Sequence, residues 1–341
     1  MQGDHVVVLF NAPSLPADHP DYVSEAGVLE AVEAVTGAMV KAGHRISEVV
    51  VDGACEPLCA RLALLRPDVV FNLFEGFEGR GHGQAQVAGI IEALGFALTG
   101  ASSTSLALAQ NKARCHWLLR GAGVATPDFC YLPRGEAADA EALDRLLAGG
   151  AVIVKPAAED ASLGVSDESV TDSVDQVRRQ AALLADRYGD VIVERFLDGR
   201  EFNVAIVGWP GPRVLPLAEI VFDRRLAARE RLVTYDAKWS PASAADLATP
   251  VHCPADVDAD LAGRIRDCAL AAYKITACRD YARIDIRIDE RGRPCVLDVN
   301  NNCDLAPRAG LDRAVRAAGQ SYEEFIVELA AGARRRGAVC S

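Results

Sequence analysis

A chain of 341 residues with 36 Lys and Arg against 48 Asp and Glu carries a formal charge of −12, which excludes a general nucleic-acid binder because phosphate backbones demand a basic footprint. No apolar run approaches the roughly 20 residues that span a bilayer, and residues 1–9 include Asp4 and lack the apolar stretch and cleavage site of a secretory leader. With 50% hydrophobic and 25% charged residues, the expectation is a soluble, cytoplasmic globular protein of two or three domains, with neither nucleic acid nor membrane as partner.

In chain order, residues 5–10 (HVVVLF) form a β-branched run expected to be a buried strand. Residues 25–42 place Val28, Leu29, Val32, Val35, Met39 and Val40 at helical spacing, and Gly43 ends that helix. A strand at 46–51, a helix to about residue 65 and a strand at 68–73 (DVVFNL) follow. This alternation predicts a doubly wound parallel sheet. Ligands lie beyond the carboxyl ends of such strands, so the loops 11–24 and 75–84 are expected to face substrate.

After a turn at 99–104, one helix is expected over 105–121, then an extended stretch opened by Thr126 and Pro127. The composition shifts toward Ala, Asp and Glu at 134–144. From residue 151 the pattern runs strand (AVIVK), loop, helix at 173–188, strand (VIVERF), then a strand pair at 201–207 and 214–222 around the turn 209–212. This second region reads as α+β with antiparallel sheets. Residues 224–248 show no clear period and are longer than a usual connection, which suggests a mobile or substrate-covering loop. The ten cysteines show no C-x-x-C pair and read as small buried hydrophobes, not as a zinc site or a disulfide framework.

The sharpest local signal is the alternation of residues 283–288 (RIDIRI), which puts Arg283, Asp285 and Arg287 on one face and three isoleucines on the other. In the next strand, 294–300, Leu297 and Val299 point one way while Asp298 and Asn300 point the other. A hairpin centred between Arg291 and Gly292 sets Asp285 opposite Asp298 and Arg283 opposite Asn300. Two carboxylates on one surface are costly unless a cation lies between them, and carboxylate and amide oxygens suit Mg²⁺ held jointly with ATP phosphates. The other reading is a solvated face whose charges are paired by Arg283 and Arg287. Lys155 ends a strand and precedes a small-residue loop, 157–164, whose N–H groups suit phosphates. Glu194 offers a carboxylate to a purine and Glu201 one to a ribose.

Taken in order, residues 72–76, 98–102 (LTGAS), Asn111-Lys112, 152–165 (VIVKPAAEDASLGV), 194–201, 235–239 (YDAKW), 283–288 and 298–300 resemble the ATP-grasp superfamily and, within it, the D-alanine:D-alanine ligase family, across nearly the whole chain. The resemblance implies an ATP-grasp fold: an N-terminal doubly wound parallel-sheet domain (1–104), a central α+β subdomain (105–198) and a C-terminal antiparallel-sheet domain (199–341) with the metal and substrate site. It implies Lys112 and Lys155 on the ATP phosphates under the backbone of Ser162, Leu163 and Gly164. Glu194 and Leu197 would meet adenine, Glu201 the ribose and Lys238 the γ-phosphate. Asp285, Asp298 and Asn300 would hold Mg²⁺, or Mn²⁺ in its place, and Arg283 would stabilise the oxyanion of a tetrahedral intermediate. The implied reaction activates a carboxylate as an acyl phosphate and transfers it to an amine, in a homodimer.

The chain also leaves the family's pattern. Where those ligases carry consecutive serines and a tyrosine around the first substrate, this sequence has Ala161 and Trp239, and both Asp21 and Glu25 compete for the N-terminal glutamate's place. The acceptor loop reads NNCDLAPR, in which Asp304 suits an amine and Arg308 a carboxylate, or the two pair with each other. Glu75 and His82 in the glycine-rich loop 75–84 are candidates for the acyl donor's contacts. The expectation is therefore an amide-forming ligase for amino acids or amino-acid-like metabolites other than D-alanine pairs. The competing readings are phosphorylation of a small molecule or transfer to a non-amine nucleophile, and a non-catalytic nucleotide-binding relic.

Overall fold

The computed structural model describes residues 3–53, 55–136 and 139–340. β1 (His5–Phe10) is fully buried, and α1 (Tyr22–Ala26) and α2 (Val28–Lys41) follow it. The helix expected over 25–42 is thus two helices that part at Gly27, against which the Trp239 ring packs: a Cβ there would lie 3.1 Å from it. β2 (Arg45–Val50), α3 (Cys55–Leu65), β3 (Val69–Leu73) and α4 (Gln84–Ala93) complete the unit. The sheet order is β2-β1-β3, all parallel, extended by a parallel bridge from Val70 to Leu98. Crossover helices cover such a sheet on both faces, which explains why β1 and β3 are mostly apolar and buried along their whole length.

The single helix expected over 105–121 is broken into α5 (Ser103–Ala109) and α6 (Lys112–Gly121). Asn111 causes the break: its backbone is extended and its side chain accepts from the Arg114 N–H, an N-cap that starts a new helix. The Lys112 N–H then donates to the Ala157 carbonyl at 2.7 Å, which fixes α6 to the second sheet.

β4 (Phe129–Leu132), α7 (Ala140–Ala148), β5 (Val152–Pro156), β6 (Val170–Thr171), α8 (Val174–Tyr188) and β7 (Val191–Arg195) build that sheet, antiparallel in the order β4-β7-β5-β6. α7 and α8 lay Leu143, Leu146, Val177 and Leu184 on its apolar face.

The third sheet takes β8 (Glu201–Val207), β9 (Arg213–Val214) and β10 (Ala218–Ile220). The stretch 224–248 is not structureless: α9 (Tyr235–Trp239) and α10 (Ala244–Leu247) form within it, each capped by a hydroxyl, Thr234 and Ser243. β11 (Val251–His252), α11 (Ala259–Ile275), β12 (Tyr281–Ile288) and β13 (Pro294–Asn300) follow, giving the antiparallel order β11-β10-β8-β12-β13 with β9 on β8. α11 covers the face carrying Phe202, Val204, Ile206, Ile284 and Ile286. α12 (Gly310–Ala317) and α13 (Tyr322–Cys340) return to the first sheet, where Phe325, Ile326 and Leu329 join the core of β1, β3 and α2. No helix among the described residues is long and apolar enough to cross a membrane.

Candidate active site

Alternation aims the polar residues of three neighbouring strands at one cleft. Across β8 and β12, Asp285 pairs with Asn203 and Arg287 with Glu201; across β12 and β13, Arg283 pairs with Asn300 and Asp285 with Asp298. The two carboxylates do face each other. Beyond them the register shifts by one, so that Ile286 opposes Val296 and Leu297 is bulged out. The bulge corrects the simple alternation expected for this strand: Leu297 lines the cleft, half-buried, while Val299 stays in the core.

Both carboxylates are already neutralised. Arg283 grips Asp285 with two bonds of 2.8 Å, and Asn203 Nδ2 donates to Asp285 Oδ1 at 2.8 Å. Lys112 Nζ lies 3.1 Å from Asp298 Oδ2 and 3.0 Å from Asp160 Oδ1, and donates to the Glu159 carbonyl. Burial alone would pull the Lys112 and Arg283 pKa values down, but their carboxylate partners more than offset it and both rise. Among the described residues no cluster of three or more His, Cys, Asp and Glu forms a self-contained metal cage. Two carboxylates and the Asn300 amide on one cleft wall fit a Mg²⁺ ion completed by phosphate oxygens and water.

The cleft, about 450 Å³, runs from this wall to the second sheet. Lys155 Nζ reaches Glu194 Oε2 at 2.8 Å, and Glu194 is almost fully buried. Arg287 organises the far end: it donates to Glu201 Oε2 at 2.6 Å and to the Leu197 carbonyl at 2.5 Å, between the Phe196 and Phe222 rings. The loop over the cleft is held by backbone geometry, with Ala161, Ser162 and Gly164 at φ of 58°, 60° and 71°. Only glycine fits the last, because a Cβ would meet Leu184, Pro156 and Tyr188 at 2.8 to 2.9 Å. α9 closes on this loop: the Tyr235 N–H donates to the Val165 carbonyl and Trp239 Nε1 to the Ala161 carbonyl at 3.0 Å. Lys238 projects into the cleft from α9, where enclosure and the Arg283 charge pull its pKa below the usual value.

A side chamber of about 90 Å³ opens off the cleft past Ala161, Lys238, Trp239, Asn300 and Asp304, and both 11–24 and 75–84 contribute to its walls. Glu25 lines it, and accepts bonds from Ser14 and Leu15 that pin the first loop. Glu75 is pushed up to about 8 by burial and by the neighbouring Asp304 charge, and burial lifts Glu159 to about 7. Asp304 Oδ1 accepts from the Ala306 N–H at 2.7 Å.

Three candidates lie elsewhere. Asp21 is bound to Arg187 at 2.6 Å and to the Tyr188 hydroxyl, so of the two N-terminal acids only Glu25 reaches the chamber. His82 is exposed and tilts against Phe77, outside the lining of both cavities. Arg308 is exposed and donates its N–H to Asp312; it pairs with neither Asp304 nor the cleft. Cys303 is buried, its thiol pushed up to about 12 by burial, as befits a core residue.

Sequence reasoning passed over several cleft residues. Asn203 lies two residues after Glu201, so the period of two was a signal for it. Arg313, one turn into α12, lines the cleft beside Gly310 and Arg283 and would need the position of that helix to be found. In the side chamber, Asn302 ties the loop 301–308 to the Phe74 carbonyl, 228 positions away, and to Gln84.

The family model described as "D-ala D-ala ligase C-terminus" matches residues 118–331. The uncharacterized protein y4sG of Sinorhizobium fredii is 34% identical over 79% of this chain and 75% of its own length. The D-alanine–D-alanine ligase of Cupriavidus necator is 31% identical over 80% of this chain and 78% of its own. The crystal structure of the D-alanine–D-alanine ligase from Bacillus anthracis complexed with ATP superimposes with a TM-score of 0.76 at 20% identity, over 98% of each chain, and so shares the fold. By its matched residues and by the fold, this chain belongs to the D-alanine–D-alanine ligase-like family of ATP-grasp, ADP-forming carboxylate–amine ligases.

Proposed function

We propose that the protein joins two amino acids, or small amino-acid-like metabolites, other than a D-alanine pair, through an acyl phosphate. The observation that carries this reading is the side chamber, where Glu25, Glu75, Asp304 and Trp239 meet beside the phosphate end of the cleft. Its acidic side chains outnumber Arg80 and Lys238, and a bound ammonium would draw Glu75, pushed up to about 8 in its absence, back to the charged form, which favours an amine-bearing substrate; Trp239 with Ala161 gives walls unlike a hydroxyl-lined D-alanine pocket.

In this reading ATP lies along the cleft. Adenine meets Glu194 and the Leu197 backbone, the ribose meets Glu201, and the phosphates meet Lys112, Lys155 and the N–H groups of 162–164. Asp285, Asp298 and Asn300 would hold Mg²⁺, which would supply charge neutralisation during phosphoryl transfer. Lys238 reaches the γ-phosphate from α9. Lys112, freed from Asp298 when the phosphates arrive, turns to them. Arg283, adjacent to α12, stabilises the oxyanion that forms when the amine attacks the acyl phosphate. Arg313 at the same wall offers a guanidinium to the acceptor's carboxylate. ATP use places the working enzyme in the cytoplasm, as a homodimer by likeness to the family.

The test is a phosphate-release screen over pairs of amino acids, with mass spectrometry of the products. Expected is ADP formation that requires both a carboxylate donor and an amine, and a product lighter than the pair by one water. A phosphorylated donor accumulating without condensation would overturn the amide reading.

A further inference from the structure

Arg287, at the far end of the cleft, is a buried charge that none of the roles above uses. Its side chain is 4% exposed. It pairs with Glu201 across β8 and β12, and Nε donates to Glu201 Oε2 at 2.6 Å. Nη1 donates to the Leu197 carbonyl at 2.5 Å and Nη2 to the carbonyl of Arg231. The Phe196 and Phe222 rings each lie 5.0 Å from the guanidinium carbon.

This grip differs from that of two neighbouring pairs. Arg283 takes both oxygens of Asp285, and Arg200 both oxygens of Glu219. Arg287 takes only one of Glu201, because two backbone carbonyls occupy its Nη atoms and keep the guanidinium plane from turning to the second oxygen. Glu201 Oε1 therefore has no partner among the described residues and, unlike Glu194 Oε1, is not closed off from the surface. The Glu201 side chain is 12% exposed and lines the cleft. An ion pair this deep adds little net stability over an apolar pair of the same volume. What it fixes is the direction of one carboxylate oxygen.

We infer that Arg287 is a positioning residue that makes this end of the cleft select a ribose over a deoxyribose. By holding Oε2, it presents Oε1 to the cleft as an acceptor for a sugar hydroxyl. A sugar without that hydroxyl leaves a desolvated carboxylate oxygen unpaired. The same guanidinium fixes the Leu197 carbonyl and, through Arg231, the segment whose Leu232 and Val233 line the cleft, so the acceptor is set relative to both walls. This rests on the proposed placement of the ribose at Glu201.

The experiment measures binding of ATP, 2′-deoxy-ATP and 3′-deoxy-ATP, each with Mg²⁺, by calorimetry on the wild type and Arg287→Lys. Lysine keeps a charge beside Glu201, but a single ammonium on a flexible stem cannot hold Oε2 and both carbonyls in one plane. The wild type is expected to favour ATP over at least one deoxy analogue by about tenfold or more, the scale of a hydrogen bond to a charged group, and Arg287→Lys to lower that ratio by about threefold or more. In steady-state assays Arg287→Lys should raise KM for ATP and leave kcat at saturating ATP within about threefold. A merely structural role would weaken all the nucleotides alike. A ratio that falls by less than about threefold, or a kcat that falls by more, therefore overturns the inference alone. Nitrogen-15 spectra of the wild type read the bond without substitution: the Arg287 Nε–H signal should stay displaced from the free-arginine position at saturating ATP, and its return there also overturns the inference. A wild type that favours ATP over neither analogue by the expected margin overturns the placement of the ribose as well.

Discussion

Asp298 accepts a bond from the Val299 N–H through Oδ1 and meets Lys112 through Oδ2, so the carboxylate is held in place before any metal arrives. Asp298→Ala removes a proposed metal ligand and leaves Lys112 to Asp160 and the Glu159 carbonyl. We predict at least a 100-fold loss of ATP turnover, roughly the scale at which charge-stabilising groups matter, read as ADP release; near-normal turnover would sink the magnesium site. Glu75 makes a different prediction. Its folded pKa of about 8 lies above the usual 4.5, so the folded state holds a proton that the unfolded state has lost, and stability falls as pH rises between those values. Glu75→Gln removes that slope. Denaturant melts from pH 5 to 8 should show the variant gaining on the wild type with rising pH, and parallel curves would contradict the assignment.

At the scale of elements, the loop 157–165 and α9 are joined by hydrogen bonds. Tyr235 and Trp239 bond to the Val165 and Ala161 carbonyls, so α9 is fastened to loop backbone that the small side chain of a serine at 161 leaves in place. Ala161→Ser should therefore fold and keep ATP turnover, and should yield no D-alanine dimer by mass spectrometry. Appearance of that dimer would mean that a single position, not the remodelled chamber, sets the substrate. Asn111 controls the next element. Losing its N-cap in Asn111→Ala costs about 1 kcal/mol of stability in a denaturant melt, and it loosens Lys112, the first residue of α6. A KM for ATP that rises with the lost stability is expected; unchanged ATP kinetics would detach the cap from nucleotide binding.

Across the whole molecule, what was legible followed a local period. The alternation in 283–288 and 294–300 gave both the hairpin and the opposition of Asp285 and Asp298. The β-branched runs with intervening helical spacing gave the parallel sheet. The bulge at Leu297 was hidden, since no Gly or Pro stands at it and Asp298 and Asn300 still alternate beyond it. The break at Asn111 was hidden by apolar spacing that continues on both sides, although an Asn before Lys-Ala-Arg is itself a capping signal. The chamber was the least legible feature. Glu25, Glu75, Glu159, Trp239 and Asp304 come from five separate segments, and only the packed fold brings them together. For the same reason Asp21, His82 and Arg308, each reasonable in its own loop, turned out to face away.

The central claim is that this cleft makes an acyl phosphate from ATP and a carboxylate. Hydroxylamine, offered in place of the amine, tests it most directly. With a carboxylate donor found in the screen, ADP and the donor's hydroxamate should form in equal amounts, and both should vanish in Asp298→Ala. Release of AMP, or of ADP with no hydroxamate, would contradict the account.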